Sequence, residues 1–271
     1  MKGRNRVSAI LSVAVSVLLT NSSAWAGELE PPPEGLSATD VALELENVFR
    51  GKTSYFEGTM IIHSPRLPEP RRVSLESWDD RPGKRSFIRI TAPPKDKGMA
   101  FLKLHPNLWN YIPRVERTVR IPPSMMLQSW MGSDFSNDDL VRESSQIEDY
   151  DHRWLGVDPD PDHPESERAY VIEYVPHEDA PVVWGRIVTT IDAARTAPLR
   201  QEFFDEDGEK IRVLTYSNFA KSGRPYPHRW SMIPLDKEGH ETAFEVDVVR
   251  FDEDFPDSIF TKRNLTRRDS P

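Results

Sequence analysis

The chain has 271 residues, 35 basic against 44 acidic side chains, a net charge of −9 and no cysteine. The missing cysteine excludes disulfides, thiolate metal sites, thiol catalysis and the lipid-bearing cysteine of an anchored lipoprotein. The acidic balance argues against nucleic acid as a partner, because phosphate neutralisation needs clustered Lys and Arg.

Lys2, Arg4 and Arg6, the apolar run from Val7 to Leu19 and Ala24-Trp25-Ala26 have the three-part layout of a secretory signal peptide, with cleavage expected after Ala26. The apolar run is short of the roughly 20 residues a permanent membrane span needs, so no permanent membrane anchor is expected. Losing those three cations takes the formal charge from −9 to −12. Residues 27–271 are expected to form one domain.

From Thr39 the spacing of Val41, Leu45, Val48 and Phe49 predicts a helix, with Thr39 or Asp40 as its cap and Gly51 as its end. Residues 55–63, 71–79, 84–91 and 99–104 then alternate apolar and polar side chains, which predicts four half-buried strands. No helical crossover lies between them, so they form an antiparallel meander. Residues 108–112 and 115–121 read as further strands, 124–131 as a helix after Pro122-Pro123, and 137–144 as a short helical turn. The loop 158–164 spaces its acids like a calcium loop, but its prolines and missing turn glycine do not fit one. Strands resume at 169–175, 184–191, 199–204, 211–218, 228–235 and 241–251, and the tail 257–268 reads as a closing helix with Ile259, Phe260 and Leu265 turned inward. The predicted architecture is mainly antiparallel β: one strongly curved sheet of about eleven strands, an incomplete barrel, covered by a few helices.

Motifs for chemistry are missing. The seven histidines are scattered singly, no Gly-x-Ser-x-Gly elbow exists, and neither phosphate loops nor dinucleotide fingerprints are present. No catalytic residue, metal or cofactor is assigned, and the chain does not read as an enzyme. What stands out is an apolar constellation of Met99, Trp109, Tyr111, Met125, Met126, Trp130, Met131 and Phe135. Flexible, polarizable Met side chains let a cavity wall repack around acyl chains of different shape. The same residues are also how an ordinary core is filled. Arg114, Arg117 and Arg120 are weaker candidates for a rim that meets an anionic headgroup; the other reading is solvated arginines paired with Glu116 or Glu143.

The run Trp109-Asn110-Tyr111-Ile112-Pro113, then Arg117 and Arg120, Ser129 to Phe135 and Asp138-Asp139-Leu140 resembles the outer-membrane lipoprotein-sorting protein family, the LolA-like group. Residues 184–191, 198–205 with Asp207-Gly208, and Phe260-Thr261 with Leu265 resemble it too. The resemblance implies a curved sheet with helices over its concave side and an apolar cavity between. It implies a periplasmic carrier or chaperone that binds lipid or lipoprotein acyl chains for transfer toward the outer membrane. An inner-membrane exporter is an implied partner. The alternative is a periplasmic interaction or sensor protein that uses the same fold to bind a protein partner, through an exposed sheet edge or the acidic loop.

Overall fold

The first helix begins one residue earlier than the sequence predicts. In a computed structural model describing residues 28–267, apart from 142–144, 165 and 181, helix α1 spans Ala38–Phe49. The signal-peptide layout therefore lies outside the described residues. Ser37 caps α1: its side chain accepts the Asp40 N–H at 3.0 Å, and Asp40 places negative charge in the first turn. Ala38, Val41, Ala42, Leu45 and Val48 form the buried stripe. Ser37→Ala is expected to cost about 1 kcal/mol in a denaturant melt, the usual value of such a cap. The helix ends at Phe49 with Arg50 as its C-cap, and at Gly51, just beyond, an added Cβ would lie 2.4 Å from Asp252 Oδ1.

Thirteen strands follow: β1 (Thr53–His63), β2 (Arg71–Asp80), β3 (Arg85–Ala92), β4 (Ala100–Leu104), β5 (Asn107–Ile112), β6 (Arg117–Ile121), β7 (Tyr150–Asp158), β8 (Ala169–Pro176), β9 (Arg186–Asp192), β10 (Ala197–Phe204), β11 (Lys210–Phe219), β12 (Pro227–Pro234) and β13 (Glu241–Phe251). They make one antiparallel sheet in the order β6-β5-β4-β3-β2-β1-β13-β12-β11-β10-β9-β8-β7. The last strand pairs with the first, Met60 opposite Phe244, and two meanders run outward from that seam. The sheet stays open, with β6 and β7 as its edges.

Two expectations are corrected. The strand count is thirteen and not about eleven; β7 went unread because a bulge between Trp154 and Gly156 breaks its alternation. The helix expected over 124–131 is a single 3-10 turn, Pro123–Met125, followed by irregular chain. There Met131 and Gly132 both take positive φ, and the hydroxyls of Ser129 and Ser133 bond the carbonyls of Ser133 and Trp130, competing with helical bonds. Helix α2 (Asn137–Val141) is one short turn, and residues 142–144 of the expected turn lie outside the described residues.

Side chains from one face of nearly every strand join α1, Trp130 and Phe135 in a single buried cluster. A flat sheet of thirteen strands could not bring them together, so the sheet curls around α1 and the 123–141 segment. The opposite face of β1 to β4 carries Tyr55, Trp78, Phe87 and Leu102 under Ile259, Phe260 and Leu265 of the C-terminal tail, the last on helix α3 (Lys262–Leu265). Arg89, buried on that face, donates to the Asn264 carbonyl at 2.5 Å. No helix of the described residues is long and apolar enough to cross a membrane.

Candidate functional site

Between α1 and the concave face lie two adjoining cavities of about 130 and about 110 Å³. The larger is lined by Ala42, Leu45 and Phe49 of α1, Phe135 of the crossing segment, and Trp184, Phe203, Leu214, Tyr216 and Trp230 from the second meander, among others. The smaller is lined by Phe56, Leu75, Ile88, Tyr226, Phe244 and neighbours. Phe49, Arg50, Asp139 and Trp230 border both and form the partition.

The partition is aromatic because α1 sets Phe49 against rings projecting from β11 and β12. Phe49 packs at 5.2 Å from Tyr216 and 6.2 Å from Trp230, and Trp230 lies 5.6 Å from both Phe56 and Phe244. Such rings bury large areas with few torsions to fix, and they can swing aside without breaking backbone bonds.

The charged groups of the walls are committed to one another. Arg50, the residue that ends α1, donates through Nε and Nη2 to Asp79 at 2.7–2.9 Å and through Nη1 to Glu46 at 3.3 Å. Burial works against its charge, but Asp79 and Glu46 outweigh that and hold its pKa above the ordinary arginine value. Asp139 on α2 receives both Nη groups of Arg212 at 2.6 and 2.7 Å, and the N–H and hydroxyl of Ser136 at 2.8 Å. Burial alone would push its carboxyl up; Arg212 and the Ser136 bonds prevail and hold it below the usual carboxylate range. The Arg212 guanidinium also sits over Trp184 and Phe203, 4.3 and 4.5 Å from their ring centres. At the far wall Tyr216 donates to Gln201 at 2.8 Å, and Gln201 donates to Thr189 and Gln146 at 3.1 Å each. Burial raises the Tyr174 hydroxyl well above its ordinary value, so it stays neutral. The walls therefore combine aromatic and aliphatic contact with polar groups that mostly bond one another, the Arg212 Nε being a buried exception.

The residues expected to line a cavity are divided by the structure. Phe135 lines the larger one and packs 5.3 Å from Phe244. Trp130 is fully buried, 5.2 Å from Phe101, behind the walls. Met99, Met126 and Met131 pack half-buried on the concave core without bordering either cavity, and Met125 is exposed. Trp109 and Tyr111 are corrections: β5 places Leu108 with the concave core, and alternation turns Trp109 and Tyr111 to the opposite face, where Lys262 Nζ stands 4.2 Å from the Trp109 ring centre. Arg114, Arg117 and Arg120 are corrections too, since they lie exposed around the β5–β6 turn and β6, away from both cavities. Glu143, one possible partner for them, lies outside the described residues. The missed lining comes from α1 and the second meander. The helical stripe ending at Phe49 was visible in sequence; the convergence of Trp184, Phe203, Tyr216 and Trp230 was not, since it depends on sheet curvature.

Comparison with known proteins adds the following. A family profile described only as an uncharacterized protein matches residues 83–267. No curated protein matches the chain. Among solved structures, an outer-membrane lipoprotein-sorting protein domain from Vibrio parahaemolyticus superposes with a TM-score of 0.71 at 24% identity, covering 85% of this chain and 100% of that one. A DUF1329 family protein from Desulfovibrio piger gives 0.73 at 21% identity, over 84% and 97% of the two chains. A LolA superfamily protein from Nitrosomonas europaea gives 0.69 at 19% identity, over 84% and 99%.

Proposed function

Because the chain belongs to the family of uncharacterized proteins whose profile spans residues 83–267 and shares its fold with lipoprotein-sorting and LolA superfamily proteins, we propose that the paired cavity under α1 binds the acyl chains of a lipid or lipoprotein. The protein is then a periplasmic carrier or chaperone that shields this cargo on its way toward the outer membrane, receiving it with the help of an inner-membrane exporter. The observation that carries the reading is the aromatic partition of Phe49 and Trp230, which divides the space under α1 into two compartments with movable side chains. Each compartment is close to the 150 Å³ at which an apolar cavity holds a benzene-sized molecule. A longer chain requires Phe49 and Trp230 to swing aside and join them, after which each buried CH₂ contributes roughly 0.8 kcal/mol.

The modest size of each compartment is the one observation favouring the alternative, an interaction or sensor protein whose core is simply filled. Ala42→Leu separates the two. Ala42 borders the larger cavity, so three added carbons should occupy the volume a chain would take, with melting temperature unchanged or raised. Half-saturation of a fluorescent fatty acid is expected to need at least about tenfold more of the variant than of wild type, since about two lost CH₂ contacts correspond to that ratio. Equal affinity in the two proteins would show that acyl chains do not enter this cavity.

A further inference from the structure

The open sheet has two edges, and they are not equivalent. Strand β7 is partly covered, because Glu30 bridges Val157 with N–H···O bonds of 2.8 and 2.9 Å in both directions. Strand β6 pairs with β5 on one side, and among the described residues none of its backbone groups bonds anything on the other. Every residue from Arg114 to Arg120 is exposed, including two apolar ones, Val115 at 59% and Val119 at 46%.

The charge of this edge is opposite to that of the chain. Arg114, Arg117 and Arg120 form no ion pair among the described residues, whereas arginines elsewhere, such as Arg50, Arg71, Arg85, Arg212 and Arg229, are held by carboxylates. Three uncommitted cations with one acid, Glu116, thus lie within seven residues of a protein whose net charge is −9. Unpaired edges invite strand addition, and edge charges decide which strand is admitted. A second copy of β6 is disfavoured, since it would set arginine against arginine. A flat anionic membrane would leave the backbone groups without strand partners, and it would repel the rest of an acidic chain.

We propose that β6 is a docking edge for an extended, acidic segment of a partner protein, which adds to the sheet as a further strand. Backbone bonds supply the pairing, Arg117 and Arg120 on the strand with Arg114 in the adjoining turn select for carboxylates, and Val119 offers apolar contact to a side chain of the added strand. The site is separate from the cavities and functions whether or not they hold cargo.

The test uses fluorescein-labelled peptides of about eight residues, long enough to span a strand, in which valine alternates with glutamate or with lysine. Anisotropy with the purified protein is expected to show the glutamate peptide binding at least about tenfold more tightly than the lysine peptide, with the gap closing in high salt. Hydrogen exchange on the same wild-type protein is expected to gain protection at alternate amides within 117–121. The double variant Arg117→Glu/Arg120→Glu, on an exposed edge and melting like wild type, should reverse the preference. Equal affinity for the two peptides, or protection confined to another part of the sheet, would overturn the proposal. So would cosedimentation with phosphatidylglycerol vesicles, lost in the double variant, in a protein that binds neither peptide. Concentration-dependent dimerisation accompanied by protection of 117–121 without peptide would equally overturn it, by naming a second copy as the occupant.

Discussion

Asp139→Ala is expected to destabilise the protein by about 3–5 kcal/mol in a denaturant melt, the cost of leaving a buried charge without its partner. Arg212 has a side chain only 6% exposed, wedged over two aromatic rings, so water cannot easily replace the lost carboxylate. Removing both charges as Asp139→Leu/Arg212→Met should cost less than the single change, because no orphaned ion remains. The pair also has a mechanical role: Asp139 belongs to the short helix α2, and its bond to β11 ties the crossing segment down over the cavities. Its pH dependence follows from the lowered carboxyl. A depressed folded-state pKa contributes stability that is fully present above the unfolded value of about 3.9 and is lost as pH falls through the folded one. Acid melts of wild type and Asp139→Ala should therefore converge at low pH; a constant gap down to pH 2 would contradict that assignment.

Trp130→Ala is expected to cost a similar amount, about 3–5 kcal/mol, by emptying the site of one of the largest fully buried side chains. The informative partner is Trp130→Phe. The indole N–H has no hydrogen-bond partner among the described residues, so exchanging it for a smaller ring removes an unsatisfied donor while keeping the contact with Phe101. That variant should lose less than about 1.5 kcal/mol and bind fatty acid as wild type does. A selective loss of binding in a well-folded Trp130→Phe protein would return Trp130 to the cavity wall, where the sequence places it.

The contrast between these two positions shows what was readable in advance. Strands whose burial alternates, such as β2 and β11, announce themselves because one face is buried and the other is partly exposed. Strand β7 hides, since an edge with a bulge needs no such pattern. The hydrophobic residues of 124–131 suggest a helix, but the serine side chains and the positive φ at Met131 do not allow one. Trp109 and Tyr111 failed for a simpler reason: richness in aromatics says that a strand is buried, and only its register with β4 says on which side. The cavity walls gather residues from α1 to β12, and no local pattern encodes a convergence that sheet curvature produces.

The central claim, that the space under α1 holds acyl chains, is tested most directly by native mass spectrometry of protein purified gently from expressing cells, followed by delipidation and rebinding. The expected spectrum carries an added amphiphile mass that disappears on delipidation, returns with a fatty acid or phospholipid, and fails to return in Ala42→Leu. A protein that arrives at its bare mass and rebinds no amphiphile after delipidation would contradict the carrier reading.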